Sequence, residues 1–240
     1  MHRLDVEKLK QIQPELIITQ DLCRVCAASS DDLAAVLSVL PSSTRVLSLN
    51  PHCLADICDD IVSVGRAAAR LDEAEHLVKQ LKRRVDKVRE VAAGVTQRPR
   101  VLCLEWLDPP FVAGHWVPEM VQIAGGIDVM GRVGEPGFRT TWEAILEATP
   151  EVVVVMPCGY DLQHTATELR SIGLPPGWNK LPAARAGRIN AVDASSYFSR
   201  PGPRVVTGLE ILAHALHPAR VSSPTLSGVM MKVERYAPAA

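Results

Sequence analysis

The stretch LDEAEHLVKQLKRRVDKVREVAA, from Leu71 to Ala93, sets its apolar residues at Leu71, Ala74, Val78, Leu81, Val85, Val88 and Ala92. The steps alternate between three and four, which lays one apolar stripe along a helix. Asp72, Glu73 and Glu75 crowd its start, while Lys79, Lys82, Arg83, Arg84, Lys87 and Arg89 follow. That order suits the helix macrodipole, and Gly94 stands where a C-terminal cap belongs. At ~1.5 Å per residue the helix is about 35 Å long. The same stripe fits a coiled-coil seam. Strand-and-helix segments on both sides favour a rigid strut joining two α/β lobes.

Working outward, the 240 residues suffice for one large domain or two smaller lobes with a real core. A hydrophobic fraction of 47%, a charged fraction of 22% and a net charge of −1 describe an ordinary globular chain. They give no overall pull toward nucleic acid or a membrane surface. No apolar run approaches the ~20 residues that cross a bilayer. The opening MHRLDVEKLKQIQPE has no signal-peptide core, so the sequence as written reads as cytoplasmic and not membrane-inserted. The six cysteines are expected to be reduced thiols, with Cys103 in the core.

N-terminal to the strut, residues 5–12 read as a short helix and Pro14–Thr19 as a buried strand. A loop from Gln20 to Ser30 follows, then a helix capped by Ser30 or Asp31 through Leu40, a strand at Arg45–Leu49 and a helix at 54–69. Beyond the strut, strands are expected at 100–106, 151–156 and 188–192. Helices are expected at 117–124, 142–148, 161–172, 178–185 and 203–216, with a loop at 107–115 and a loosely patterned tail from His217. Strand and helix alternate on both sides, which implies mainly parallel sheets covered by helices. The expected division is an N-terminal lobe to residue 70, the helix at 71–94, a C-terminal lobe at 95–218 and a tail at 219–240.

The stretches PELIITQDLCRVCA, RVLSLNPHCLADICDDIVSVGRAA, EWLDPPFVAGHWVPEMVQIAGG, TTWEAILEATPEVVVVMPCG and YFSRPGPRVVTGLEILAHAL resemble the substrate-binding proteins of ABC importers. The resemblance is to the branch with two lobes joined by one long helix, the cobalamin-binding and iron-siderophore-binding proteins, nearest the former. It implies binding without catalysis, an ABC permease as partner, and relatives that are periplasmic or lipid-anchored. Family members usually carry a further strand–helix–strand portion ahead of the point matching Met1. The N-terminal lobe is therefore expected to be truncated to two strands, with open edges covered by a homodimer.

Ligands of parallel sheets sit beyond the carboxyl ends of the strands. The expected lining is Gln20, Asp21, Cys23 and Cys26 after the first strand, with Asn50 and His52 after the second. Beyond the strut it is Glu105, Trp106, His115 and Trp116, then Cys158 and Tyr160, then Tyr197, Phe198 and Arg200. Aromatic rings with a few polar groups suit a flat, partly apolar ligand such as a corrinoid or an iron chelate. No cofactor is required.

Cys23-Arg24-Val25-Cys26 has three readings: a redox pair, half of a zinc site, or two small residues closing a loop. His52, Cys53, Cys58, His115 or Cys158 could complete a zinc site if the fold brings them together. His115 could itself ligate cobalt or iron. The expectation is a non-enzymatic binder of a corrinoid or other metal chelate. The rivals are a cysteine- or metal-dependent enzyme using Cys23, Cys26 and His115, and an interaction module without ligand. No Gly-x-Ser-x-Gly elbow, P-loop or His-Glu-x-x-His is present.

Overall fold

The computed structural model of the chain describes residues 5–20, 37–221 and 228–233. It divides into two compact units: Met1–Pro51 with Ala55–Val78, and His52–Leu54 with Lys79–Ala240. The long helix, Leu71–Ala93, contributes its first turns to one unit and the rest to the other.

In the first unit, α1 (Val6–Ile12) is capped by Asp5, whose side chain accepts the Lys8 N–H, and is closed by Gln13 in the left-handed region. Pro14 follows, and β1 (Leu16–Gln20) pairs in parallel with β2 (Arg45–Leu49), Leu16 opposite Arg45 and Gln20 opposite Leu49. The buried strand expected at Pro14–Thr19 is corrected here: β1 is half-buried, with Ile18 47% exposed, and Val46 on its partner β2 is 38% exposed. A β-branched run sets strand preference, but cover depends on what packs over each face of the pleat. The sheet of this unit has two strands among the described residues. The helix expected to end at Leu40 lies mostly outside them. Next come α2 (Leu54–Ala67) and α3 (Leu71–Ala93). They approach closely at Gly65, where a Cβ would stand 2.3 Å from the Ala74 methyl.

The second unit is built on a seven-stranded sheet. Its strands are β3 (Arg100–Leu107), β4 (Pro110–Val112), β5 (Ile127–Asp128), β6 (Phe138–Arg139), β7 (Val152–Val155), β8 (Ile189–Val192) and β9 (Met230–Lys232). The order is β6-β4-β3-β7-β8-β9, with β5 also on β3. The central pairs β3–β7 and β7–β8, and the pair β3–β5, are parallel; β3–β4, β4–β6 and β8–β9 are antiparallel. Two expectations are corrected. The loop at 107–115 contains β4, turned back on β3, and the loosely patterned tail supplies β9. Three-residue strands show no period, so tertiary pairing alone defines them.

Helices α4 (Val117–Ile123), α5 (Trp142–Glu147), α6 (Leu162–Ser171), α7 (Pro182–Arg185), α8 (Ala194–Tyr197) and α9 (Val205–Leu216) complete the unit. The helix expected at 178–185 is instead a 3₁₀ turn at Trp178–Lys180 followed by α7, whose first residue is Pro182. All four residues of β7, Val152–Val155, are buried, as the centre of a sheet covered on both faces requires. One layer gathers Leu102, Leu104, Val153 and Val155 with Ile145, Leu169 and Trp178. Elsewhere Val101 meets Val121 and Leu216 around Gly126. Helix α9 buries nine of its residues and meets α8 at Gly208, where a Cβ would lie 2.3 Å from the Tyr197 carbonyl oxygen.

Candidate functional site

The parallel strands β3, β7 and β8 end on one rim of the second unit, and backbone hydrogen bonds tie the segments that follow. Met156 N–H donates to Leu104 O at 2.8 Å, Cys158 N–H to Glu105 O at 3.2 Å, and Ser195 N–H to Tyr160 O at 2.9 Å. Gly159 N–H donates to the Ser199 hydroxyl at 3.1 Å. Glu105, Trp106, Cys158, Tyr160 and the 195–199 segment are thereby brought together.

Trp106 is 38% exposed, and its ring meets Tyr160 edge to face at 5.4 Å and 80°. Tyr160 in turn touches His164 at 6.0 Å. Asp161 caps α6, accepting the His164 backbone N–H at 2.8 Å and its ring Nδ1–H at 2.9 Å. The His164 N–H, and then the His164 ring, hold the Asp161 carboxyl below its usual range. Asp161, His164 and Ser199 were not anticipated as rim residues. The spacing of an Asp three residues ahead of a His was the available signal for the first two.

Glu105 occupies a β-bulge: Leu104 faces Val112 and Trp106 faces Phe111, leaving Glu105 as the extra residue. Its side chain has no hydrogen-bond partner among the described residues, and burial pushes its pKa up from the usual 4.5 to about 7. Gly137 lies alongside; a Cβ there would stand 2.9 Å from Glu105 Oε2.

Other expected rim residues are placed differently. Trp116 is 5% and Phe198 3% exposed, and the Trp116 Nε1–H donates to the Phe198 carbonyl at 3.1 Å. Both rings pack inside the unit, and this corrects their assignment to a ligand-facing loop. Cys158 and Tyr197 are half-buried and Arg200 is exposed. Gln20 ends β1 in the first unit and is half-buried. Asp21, Cys23 and Cys26 lie outside the described residues.

His115 does not open α4 as a regular first turn. Its φ of 54° is left-handed, with its N–H donating to Glu135 O at 2.6 Å and its carbonyl accepting the Gly134 N–H at 3.0 Å. Its ring stacks on Trp116 at 5.7 Å and stands 5.8 Å from the ring of His52. Burial first, and then His52, pulls its pKa down, and its Nδ1 is buried without a hydrogen-bond partner among the described residues. Among the described residues no three His, Cys, Asp or Glu side chains converge to hold a metal ion, and no helix is long and apolar enough to cross a membrane.

The fold is α/β, in two units, with the central strands of the larger sheet parallel. The Periplasmic binding protein family matches residues 1–195, and the chain belongs to that family. It is 24% identical over 225 residues to an uncharacterized ABC transporter substrate-binding lipoprotein, YvrC, of Bacillus subtilis (strain 168). That alignment covers 90% of this chain and 66% of the relative, so the chain spans just under two thirds of the relative's length. Among solved structures, the periplasmic heme-binding protein RhuT from Roseiflexus sp. RS-1 aligns at 26% identity with a TM-score of 0.72. The match covers 91% of this chain and 81% of RhuT. The periplasmic vitamin B12 binding protein BtuF of Vibrio cholerae shares the fold at 19% identity, with a TM-score of 0.71, 92% of this chain and 82% of BtuF covered.

Proposed function

We propose that this chain binds a flat metal chelate of the haem or corrinoid class and hands it, chemically unchanged, to an ABC permease. The observation that carries the reading is the exposed Trp106 ring, near the carboxyl end of β3, set edge-on to Tyr160 beyond the end of β7. A partly exposed indole leaves apolar area that the flat face of a macrocycle would bury on binding. Tyr160, Glu105 and Cys158 add polar atoms beside it, with Tyr197 and Arg200 on the segment after β8. Gln20, and Asp21, Cys23 and Cys26 after it, belong to the proposed lining on sequence grounds. The heme-binding relative at 26% identity supports this ligand class.

Absorbance titration with hemin and with cyanocobalamin tests the reading. Saturable one-step spectral changes with either chelate are expected, and Trp106→Ala or Tyr160→Ala should weaken binding about fivefold to tenfold, the worth of one aromatic contact. Absence of saturable binding to both chelates sinks the proposal. Association of two copies through the β1–β2 sheet belongs to the same proposal, supported by the exposed Ile18 and Val46. A monomer in sedimentation at all micromolar concentrations would remove that part alone.

A further inference from the structure

The bulge at Glu105 decides which way Trp106 points. Leu102 and Leu104 lie in one core layer, and regular alternation would send residue 106 to that same face. The extra residue reverses the alternation. Leu104 pairs with Val112 inside the core layer, whereas Trp106 pairs with Phe111 on the opposite face. Phe111 is in turn directly opposite Arg139 on β6. Residues directly opposite in antiparallel strands project to one face, so Trp106, Phe111 and Arg139 form a transverse row. A strand spacing of ~4.8 Å sets the Arg139 backbone about 10 Å from that of Trp106 along the row. Phe138, beside Arg139 in sequence, pairs with Val112 and so belongs to the other face.

The row runs from aromatic to cationic. At one end Tyr160 meets Trp106 edge to face at 5.4 Å; Phe111 is half-buried in the middle, and Arg139 is exposed at the other end. The Arg139 guanidinium has no hydrogen-bond or ion-pair partner among the described residues. Glu135, on the segment leading into β6, is taken by Arg132 at 3.3 Å. Glu105 lies beside the row, since a Cβ on Gly137 would stand 2.9 Å from its Oε2 and 3.1 Å from Phe111 Cε1. Burial raises its pKa to about 7, which lessens the negative charge it sets against an incoming anion.

We propose that this row selects chelates carrying a carboxylate on the edge of the macrocycle, bound by Arg139 while the ring lies against Trp106 and Phe111. The inference rests on the chelate-binding reading above and narrows it to a haem-type ligand with free propionates, in preference to an amide-fringed corrinoid. A guanidinium meets a carboxylate through two parallel charge-assisted bonds, whereas a carboxamide or an ester offers it only neutral acceptors.

The test is titration of the full-length protein with hemin, hemin dimethyl ester and cyanocobalamin in one dilute-detergent buffer, read by absorbance and tryptophan fluorescence. Hemin should bind about threefold to tenfold more tightly than its dimethyl ester, and added salt should erode the difference. Cyanocobalamin should also bind more weakly than hemin. Arg139→Gln should lower hemin affinity by about the same factor and leave the ester unchanged. Arg139 is exposed and unpaired among the described residues, so its replacement leaves the fold intact. Arg185→Gln removes the same charge ahead of the amino end of β8 and should keep the wild-type preference. Equal affinity for hemin and its ester, cyanocobalamin binding as tightly as hemin, or an Arg139→Gln variant with the wild-type preference overturns this inference and leaves chelate binding standing. No saturable binding of any of the three probes overturns both.

Discussion

Arg84 holds both carboxylate oxygens of Glu210, Nε to Oε1 at 2.9 Å and Nη2 to Oε2 at 2.7 Å, while Nη2 also donates to the Thr207 hydroxyl at 2.8 Å. The fork fastens the C-terminal half of α3 to α9 within the second unit. Two parallel charge-assisted bonds are worth more than a surface ion pair, but both side chains keep about a third of their exposure, 39% and 33%. Arg84→Ala should therefore cost about 1–2 kcal/mol in denaturant unfolding. Arg84→Lys should recover less than half of that, because an ammonium cannot reproduce the fork. A double-mutant cycle with Glu210→Gln that shows no coupling would refute the pairing.

Glu105 makes stability fall as pH rises. Its folded pKa, about 7, lies above the usual 4.5, so the folded state holds the proton longer than the unfolded chain. The cost of ionising it is absent below about 4.5, grows through neutrality and is complete above 7. Glu105→Gln removes the ionisation and leaves the buried polar group, whose cost is constant with pH. The stability of the variant relative to wild type should therefore climb by at most about 3 kcal/mol between pH 4 and pH 8. Parallel pH profiles for the two proteins would show that the carboxyl is not desolvated.

The long helix and the four-valine strand were legible because each signal is local: a three-four stripe over 23 residues, and an uninterrupted apolar run. The order of elements followed, and with it the rim beyond the strand ends. Strands β4 and β9 were not legible, since three residues carry no period and their pairing is set by distant partners. Trp106 and Trp116 looked alike as loop aromatics, yet one is exposed and the other bonded inside. Burial depends on what folds over a loop, not on the loop's composition. The juxtaposition of His52 with His115 is long-range for the same reason, and the bulge that turns Glu105 inward shows only in the register.

His115 acts on acid stability in the opposite sense to Glu105. Burial, and then the neighbouring His52, depresses its folded pKa below the usual imidazole value. The unfolded chain then takes up a proton first as pH falls, and stability present above that value is lost on acidification. His217, depressed chiefly by burial, works in the same direction. Between pH 7.5 and 5.5, His115→Gln should lose less unfolding free energy than wild type. An equal or larger loss in the variant would mean that His115 titrates freely in the folded protein.

Gly114 is where backbone meets backbone beside His115. A Cβ there would stand 2.1 Å from Gly137 N, 2.5 Å from Pro136 C and 2.6 Å from Glu135 O, none of which can rotate away as a side-chain end could. Gly114→Ala must push out the 135–137 segment, which carries the carbonyl that accepts the His115 N–H and the glycine beside Glu105. Overpacking of this kind costs about 1–3 kcal/mol, so a clear drop in unfolding free energy is expected. Gly173→Ala is the matched control: a Cβ there meets nothing within 4 Å, and its φ is not in the left-handed region. That change should leave stability within about 0.5 kcal/mol or raise it slightly, by narrowing the unfolded ensemble. Two variants of equal stability would contradict the close approach at Gly114.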